Sequence, residues 1–429
     1  MRKTIFSFRS FIALCFVLTL YTLSRAQVYV DIDAGGTNDG SSWTDAYIDL
    51  QAAIDAIGSG EIWVAEGTYL PDVSDTGDRD LSFSMKNGVA IYGGFDGAET
   101  MLSERDLATH ITIMSGDIGT ASDNTDNSYH VVDNSTNSLD ATAILDGFTI
   151  SDGNADGMST LFQNIGAGMY NNLSSPTISN CIFSNNTAQS AAGMANLGSN
   201  TFLTNCTFTN NTATGNGGGL GNNNCTPTLN NCTFSDNTAG INGGGIFNFF
   251  NSNSIISDCT FSNNSANRGG GINNDSSNPT LTDCTFSNNS ASTGGGMYNN
   301  SSSPSLANCS FSNNAVTSTG GGIYSRSSSS PTLTNCSFSN NSADDEGGGM
   351  CNNNSSPTLT TCTFNNNSAN QGGGIYNNSS SPLITNCTFS KNTTTLNGGG
   401  GIYNTSSSSP TLTNCTFSEN TASSFGGGC

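Results

Sequence analysis

The sequence predicts an all-β solenoid, a parallel β-helix with three short strands per coil. Three observations predict it. Ten cysteines, from Cys181, Cys206 and Cys232 through Cys259, Cys284, Cys309, Cys336, Cys362 and Cys387 to Cys415, recur at intervals of 25 to 28 residues. Each is followed two residues later by Phe and, three further on, by Asn, from Phe183 and Asn186 to Phe417 and Asn420. Each is preceded three residues earlier by Leu or Ile, and a glycine-rich step leads into Ile, Met or Leu, as in Gly269-Gly270-Gly271-Ile272. A fixed period of this length marks a stacked repeat. Without it, 10% charged residues in a Gly-, Ser-, Thr- and Asn-rich chain would suggest disorder.

Taken from the start, Arg2 and Lys3 precede an apolar run from Phe11 to Leu20, and small Ser24 and Ala26 stand before Gln27. This is the pattern of a cleaved signal peptide over residues 1–26, so the mature chain is expected outside the cell. Cleavage would remove four basic residues and no acid, taking the formal charge from −22 to −26. With six scattered basic residues left, a nucleic-acid partner is disfavoured.

Residues 27–165 read as an N-terminal cap and irregular coils. Twenty-four of the 32 acids lie between Asp31 and Asp156, which sets an organisational boundary near residue 160. Strands are expected at 28–30, 62–64, 89–92, 111–114, 130–132 and 143–150. Between 44 and 57, Ala46, Tyr47, Leu50, Ala53, Ile54 and Ile57 have the spacing of one helix face, a helix suited to covering the open end of the stack.

Residues 166–429 then form about ten regular repeats that stop mid-coil at Cys429. In Cys-Thr-Phe-Ser, Cys and Phe share one strand face. The Leu three places earlier has the wrong parity for the same straight strand, so a corner is expected at the residue before Cys. That residue is Asn or Asp in nine repeats and Thr361 in the tenth, and Asn and Asp are the residues that best tolerate left-handed backbone angles. The Asn three places after Phe is expected to mark the next corner. Leu, Cys, Phe and Ile or Met should form interior columns. Stacked Cys have Cβ atoms about 4.8 Å apart rather than the ~3.8 Å of a disulfide, so a column of buried thiols is expected. Cys225, Cys351 and Cys429 lie off that column and are candidates for reactive thiols. Outside, Thr207 and Thr209, Thr233 and Ser235, and Thr260 and Ser262 should align as two hydroxyl columns. The ordinary strand preference of Thr accounts for such an array, and its regularity raises ordering of water or ice only as a secondary idea.

The opening V-Y-V-D…D-G-S-S-W…L-Q-A-A-I…I-W-V-A-E-G-T-Y resembles that of secreted proteins with the pectin-lyase-like right-handed β-helix fold. The phased F-x-x-N and G-G-G-[I/M] motifs resemble the passenger repeats of chlamydial polymorphic outer membrane proteins, with G-G-G in place of that family's G-G-A. The resemblance implies a right-handed coil, surface exposure and an adhesin-like role, with outer-membrane association through a C-terminal anchor that this sequence does not show.

For chemistry, the repeats offer only Arg268, Arg326 and Lys391 as bases, expected in loops that share no coil with an acid pair, and Asp344-Asp345-Glu346 as an acidic cluster. His110 and His130 lie in the N-terminal coils, where structural roles are expected. Asp31, Asp33 and Asp39 offer hard oxygen ligands that would suit Ca²⁺, although they lack an EF-hand's spacing, and no other cofactor is indicated. The expectation is therefore a secreted or surface-displayed, adhesin-like binding scaffold without catalysis in the repeats. Its partner would be an extracellular protein or glycan, held by variable segments at 317–319, 325–330 and 344–346. The alternative is an extracellular polysaccharide lyase or glycoside hydrolase with its site in the N-terminal coils.

Overall fold

The computed structural model describes residues 26–74, 76–396, 398–423 and 427. The expected signal peptide and Cys429 lie outside them. The described chain winds as a parallel β-helix. Its strands stack into four parallel ladders of 14, 13, 11 and 11 strands. One coil shows the order. Thr228–Asn230 lies in the leucine sheet, Thr233–Ser235 in the phenylalanine sheet, Thr238–Ala239 in the alanine sheet and Ile246–Phe249 in the tyrosine sheet. The coil thus has four strands rather than the expected three. The extra one pairs only two residues, and a two-residue alternation gives no readable period in sequence.

Every residue before a column cysteine is left-handed, from Asn180 (φ 52°) to Asn414 (φ 52°), and this includes Thr361 at φ 56°. The second corner differs from expectation. Its left-handed residue is the one before the repeated Asn, as at Asn263 (φ 56°) and Asn288 (φ 55°), and the position admits Lys391 and Glu419. The repeated Asn itself faces inward and is buried. Asn264 Nδ2 donates to Asn289 Oδ1 (3.0 Å) and to Phe234 O (2.9 Å), and Asn264 N donates to the same Asn289 Oδ1 (3.0 Å). One side chain therefore satisfies backbone groups that the corner takes out of the ladders, and passes the bond to the next coil. Unpaired, each such buried group would cost about 1–3 kcal/mol. This explains why Asn never varies there while its left-handed neighbour does.

The glycine step has a similarly local cause. Gly269 is left-handed (φ 68°), a Cβ on Gly270 would lie 2.6 Å from Ser290 O, and one on Gly271 would lie 2.9 Å from the Phe286 ring. Inside, rings from Phe183 to Phe417 stack at 4.6–5.0 Å with planes 1–7° apart, the spacing that the paired parallel strands impose. The column cysteines are free and buried, apart from the partly exposed Cys415.

The N-terminal end is capped by α1 (Leu50–Ala56), which begins where Asp49 Oδ1 accepts from Ala52 N (3.1 Å). It is shorter than the expected 44–57. Upstream, Tyr47 N and O pair with Tyr29 O and Asp31 N (both 2.9 Å), which draws that segment into the first coil. Leu50, Ala53 and Ile54 are buried. The expected strand at 143–150 divides at left-handed Gly147 (φ 85°) into Ile144–Asp146 and Thr149–Ser151, which join the leucine and phenylalanine sheets.

Candidate binding face

The outward faces of the four sheets differ in one respect that bears on function. On the phenylalanine sheet the outward positions repeat. Thr207, Thr233, Thr260 and Thr285 stand in register, beside Thr209, Ser235, Ser262 and Ser287. The two hydroxyl columns expected from sequence are therefore aligned, and Ser235 Oγ donates to Thr209 Oγ1 (3.1 Å).

The tyrosine sheet instead changes from coil to coil. Its first outward column runs Tyr170, Ala195, Gly221, Phe247, Asn273, Tyr298, Tyr324, Cys351, Tyr376, Tyr403. Its second carries Phe249, Asp275, Asn300, Arg326 and Asn353 in successive coils. Tyr298 and Tyr324 lie 5.3 Å apart at 31°, Tyr376 and Tyr403 5.8 Å apart at 46°, so the aromatic rings form two short runs along the axis. Burial raises the Tyr324 phenol pKa and pushes Tyr376 up to about 12, so both are neutral hydroxyls. Asn300 Nδ2 donates to Asp275 Oδ1 (3.1 Å). The Tyr298 hydroxyl beside Arg326 raises that guanidinium's pKa further, fixing it as a cation. Along the opposite border, Thr319, Glu346 and Gln371 are joined by parallel bridges. Burial raises the Glu346 carboxyl pKa. Tyr170, Tyr298 and Tyr376 are buried, so the contact area open to an extended ligand along the axis comes from the half-buried Tyr324 and Tyr403 and from the outer column with Phe249 and Arg326, whose flanking amides supply directional hydrogen bonds.

The variable segments expected to make contacts border this face. Residues 317–319 end the strand Ala315–Thr319, Ser325 and Arg326 end Ile323–Arg326, and 344–346 enter the tyrosine sheet's glycine step. Arg268 and Arg326 are strand residues rather than loop residues, since the ladders extend to them by pairing with Thr293 and Asn353. Lys391 sits at a left-handed corner, 3.9 Å from Glu419. The tyrosine column is not among the sites expected from sequence. Its signal is the residue after the glycine step's Ile, Met or Leu, which ranges over Tyr, Ala, Gly, Phe, Asn and Cys from repeat to repeat.

Cys225 and Cys351, candidates for reactive thiols by sequence, are both buried. Cys225 takes a place in the serine column of a turn, 4.0 Å from Ser252 Oγ, and burial pushes its pKa up to about 11. Cys351 is enclosed in the tyrosine column, and burial raises its pKa well above the usual thiol value. A raised pKa disfavours the thiolate on which cysteine reactivity depends.

The calcium candidates divide between two turns. Asp31 Oδ1 accepts from Asp33 N (2.9 Å), whereas Asp39 Oδ1 accepts from Ser41 N (3.0 Å) in the turn that contains Asp45. Among the described residues no three His, Cys, Asp or Glu side chains are placed to hold a metal ion together. The bases of the N-terminal coils bind the scaffold. Arg79 reaches Asp156 (2.7 Å), Asn127 O and Asn154 O, and Arg105 reaches Asp146 (2.7 Å). His110 Nδ1 meets Glu66 Oε2 (2.9 Å), whose hydrogen bond raises the imidazole pKa, and His130 is buried against Gly166 O (3.1 Å), its pKa lowered by that burial.

A family model described as the right handed beta helix region matches residues 120–273, 204–318 and 274–429. The chain belongs to the right-handed β-helix family. No curated protein matches it in sequence. Similar solved structures include PfbA, a surface adhesin of Streptococcus pneumoniae, at 11% identity and TM-score 0.37, covering 92% of each chain. A GH87 alpha-1,3-glucanase catalytic unit from Streptomyces thermodiastaticus aligns at 14% identity and TM-score 0.39, over 94% of this β-helix and 68% of that chain. Pectate lyase Pel9A aligns at 14% identity and TM-score 0.30, over 91% and 78%.

Proposed function

We propose that this β-helix is an extracellular or surface-displayed binding scaffold, adhesin-like in role, whose tyrosine face holds an extended glycan or protein ligand. One observation carries the reading: side-chain identity changes coil by coil on that face, while the phenylalanine sheet repeats Thr and Ser almost without change. A scaffold repeats what it needs to stack, and the coil-specific residues that reach solvent on this face, among them Phe249, Tyr324, Arg326 and Tyr403, are what a specific ligand would read. The likeness of the F-x-x-N repeats to chlamydial surface proteins supports display outside the cell, with outer-membrane attachment through an anchor as its further extension.

The test is a glycan and extracellular-matrix array probed with the full chain. Ligands bound by the parent chain should lose at least about tenfold in affinity on Tyr324→Ala or Arg326→Ala, and nothing on Thr233→Ala or Thr260→Ala. Equal loss from both faces would refute the assignment. The same array, extended to uronic-acid polymers with and without Ca²⁺, tests the lyase or hydrolase alternative, since chain cleavage would replace binding by catalysis.

A further inference from the structure

Along the first outward column of the tyrosine sheet two successive coils lack a ring. Tyr170 is followed by Ala195 and Gly221, and the next coil brings Phe247. The gap is a groove of about 510 Å³. Small Ala191, Ala195 and Gly221 line it together with Leu197 and the Phe247 and Phe249 rings, and no charged residue is among the described residues that line it. The two rings stack 5.7 Å apart at 20°.

Apolar surface is concentrated around this groove. Leu173, Phe249 and Phe250 are 70%, 40% and 55% exposed, whereas from 256 to 382 no Ile, Leu, Met, Phe or Val side chain is exposed. A contiguous exposed apolar patch marks contact with another molecule. The rim is polar. Asn216 Oδ1 accepts from Asn242 Nδ2 (2.8 Å), but Asn216 Nδ2 donates to no described residue, and the exposed Asn223 side chain has no hydrogen bond among the described residues.

An apolar interior with free amides at its mouth matches a peptide. The side chain enters, and the backbone N–H and C=O on either side of it meet amides that can both donate and accept. A sugar residue in the same place would press hydroxyls against Ala195, Leu197 and Phe247 and leave them unpaired, which is costly. A charged side chain would find no counter-charge. The missing rings select an aromatic side chain over an aliphatic one. A flat ring in the gap stacks against Phe247 as Tyr298 and Tyr324 meet at 5.3 Å in the same column. A second copy of this chain is a poor source of that ring, because each copy carries a formal charge of −22 and the copies repel.

We propose that this groove is the anchor pocket for an extracellular protein ligand, which inserts one uncharged aromatic side chain into the gap left by Ala195 and Gly221 and hydrogen-bonds its flanking backbone to Asn216 and Asn223. The inference rests on the tyrosine face being the binding face, and it narrows the ligand there to a protein.

The experiment is a fluorine NMR titration of the full chain with N-acetyl-4-fluorophenylalanine amide, a probe that carries one ring and both flanking peptide groups, with methyl glucoside as competitor in a parallel arm. The expected result is one saturable site that methyl glucoside does not displace and that weakens at least about fivefold in Phe249→Ser and in Asn223→Ala. Both positions are exposed, so neither change threatens the fold. Phe202→Ser removes a ring of similar exposure from the leucine sheet and should leave binding unchanged. Four results would overturn the proposal: no saturable binding, equal weakening by Phe202→Ser, displacement of the probe by methyl glucoside, or self-association of the chain that Phe249→Ser abolishes. Any of them leaves the wider reading of the tyrosine face standing as long as array ligands still depend on Tyr324 and Arg326, and equal loss from both faces would remove that reading separately.

Discussion

In the regular coils a corner is completed by the next coil. Asn264 hands its amide proton to Asn289, and Asn289 hands its own to Asn314 (both 3.0 Å). In the coils before residue 165 the turns are completed within themselves, by carboxylates that fold back on neighbouring amides. Asp106 Oδ1 accepts from Ala108 N (2.9 Å), Asp140 Oδ1 from Thr142 N (2.8 Å), and Asp123 Oδ1 from Thr125 N (3.0 Å). Arg79 and Arg105 then tie separate coils together through Asp156 and Asp146. The first arrangement needs no charge and can be repeated without limit, but every coil depends on its neighbours. The second allows each turn its own sequence and clefts, at the expense of ionisable groups on which stability comes to depend. That difference explains where the acids are.

The sharpest way to break the comparison is to cut the interior stack. Phe286 lies 4.7 Å from the Phe261 ring and 4.6 Å from Phe311. Phe286→Ala should destabilise the regular coils by about 3–5 kcal/mol. Both tryptophans, Trp43 and Trp63, belong to the N-terminal coils. Denaturant unfolding followed by circular dichroism should therefore shift well ahead of the Trp fluorescence transition. Equal shifts in both signals would show that the two regions unfold as one unit.

Acid should act in the reverse sense. His130 is buried with its pKa lowered, so the unfolded chain takes up the proton more readily than the folded one. Its contribution is fully present above the ordinary value of about 6.5 and is lost as pH falls below it, at up to about 1.4 kcal/mol per pH unit. The Trp-detected midpoint should fall between pH 6.5 and 5, and His130→Gln should flatten that slope.

A smaller effect comes from one flaw in a second amide ladder. In the tyrosine sheet Asn171, Asn196, Asn222, Asn248, Asn274 and Asn299 pass bonds along the axis, as Asn352, Asn377 and Asn404 do further on. Between the two runs stands Ser325, which accepts from Asn299 (3.3 Å) and leaves Asn352 Oδ1 without a donor. Ser325→Asn should raise stability by about 1 kcal/mol in chemical denaturation. The smallest effect is expected at Thr361, a β-branched residue held at φ 56°. Thr361→Asn should add about 0.5–1 kcal/mol, visible as a modest rise in melting temperature.

The sequence made the stack legible because its demands recur. Cys, Phe and Leu must meet themselves one coil on, and the parity change between Leu and Cys announced the first corner. The second corner was misplaced by one residue, since the Asn that never varies looked like the turn residue. Its constancy comes from the interior ladder instead, and the left-handed position beside it tolerates even Lys391. The alanine strand is two residues long in most coils, too short for a readable period, and lengthens to four or five only at Ser265–Arg268, Ser290–Thr293 and Ala315–Thr319. The candidate face was harder still. The tyrosine face is defined by variation, which a search for repeats discards.

Thiol accessibility tests the stacked interior most directly. A brief pulse of iodoacetamide on the native chain, read by peptide mass spectrometry, should label Cys415 first among the ten column cysteines, because it alone is partly exposed. Cys181, whose pKa burial pushes up to about 12, and the eight column cysteines between should be labelled only after denaturation. Rapid labelling of Cys259, Cys284 or Cys309 in the native chain, or disulfides joining them, would contradict an interior column of buried thiols.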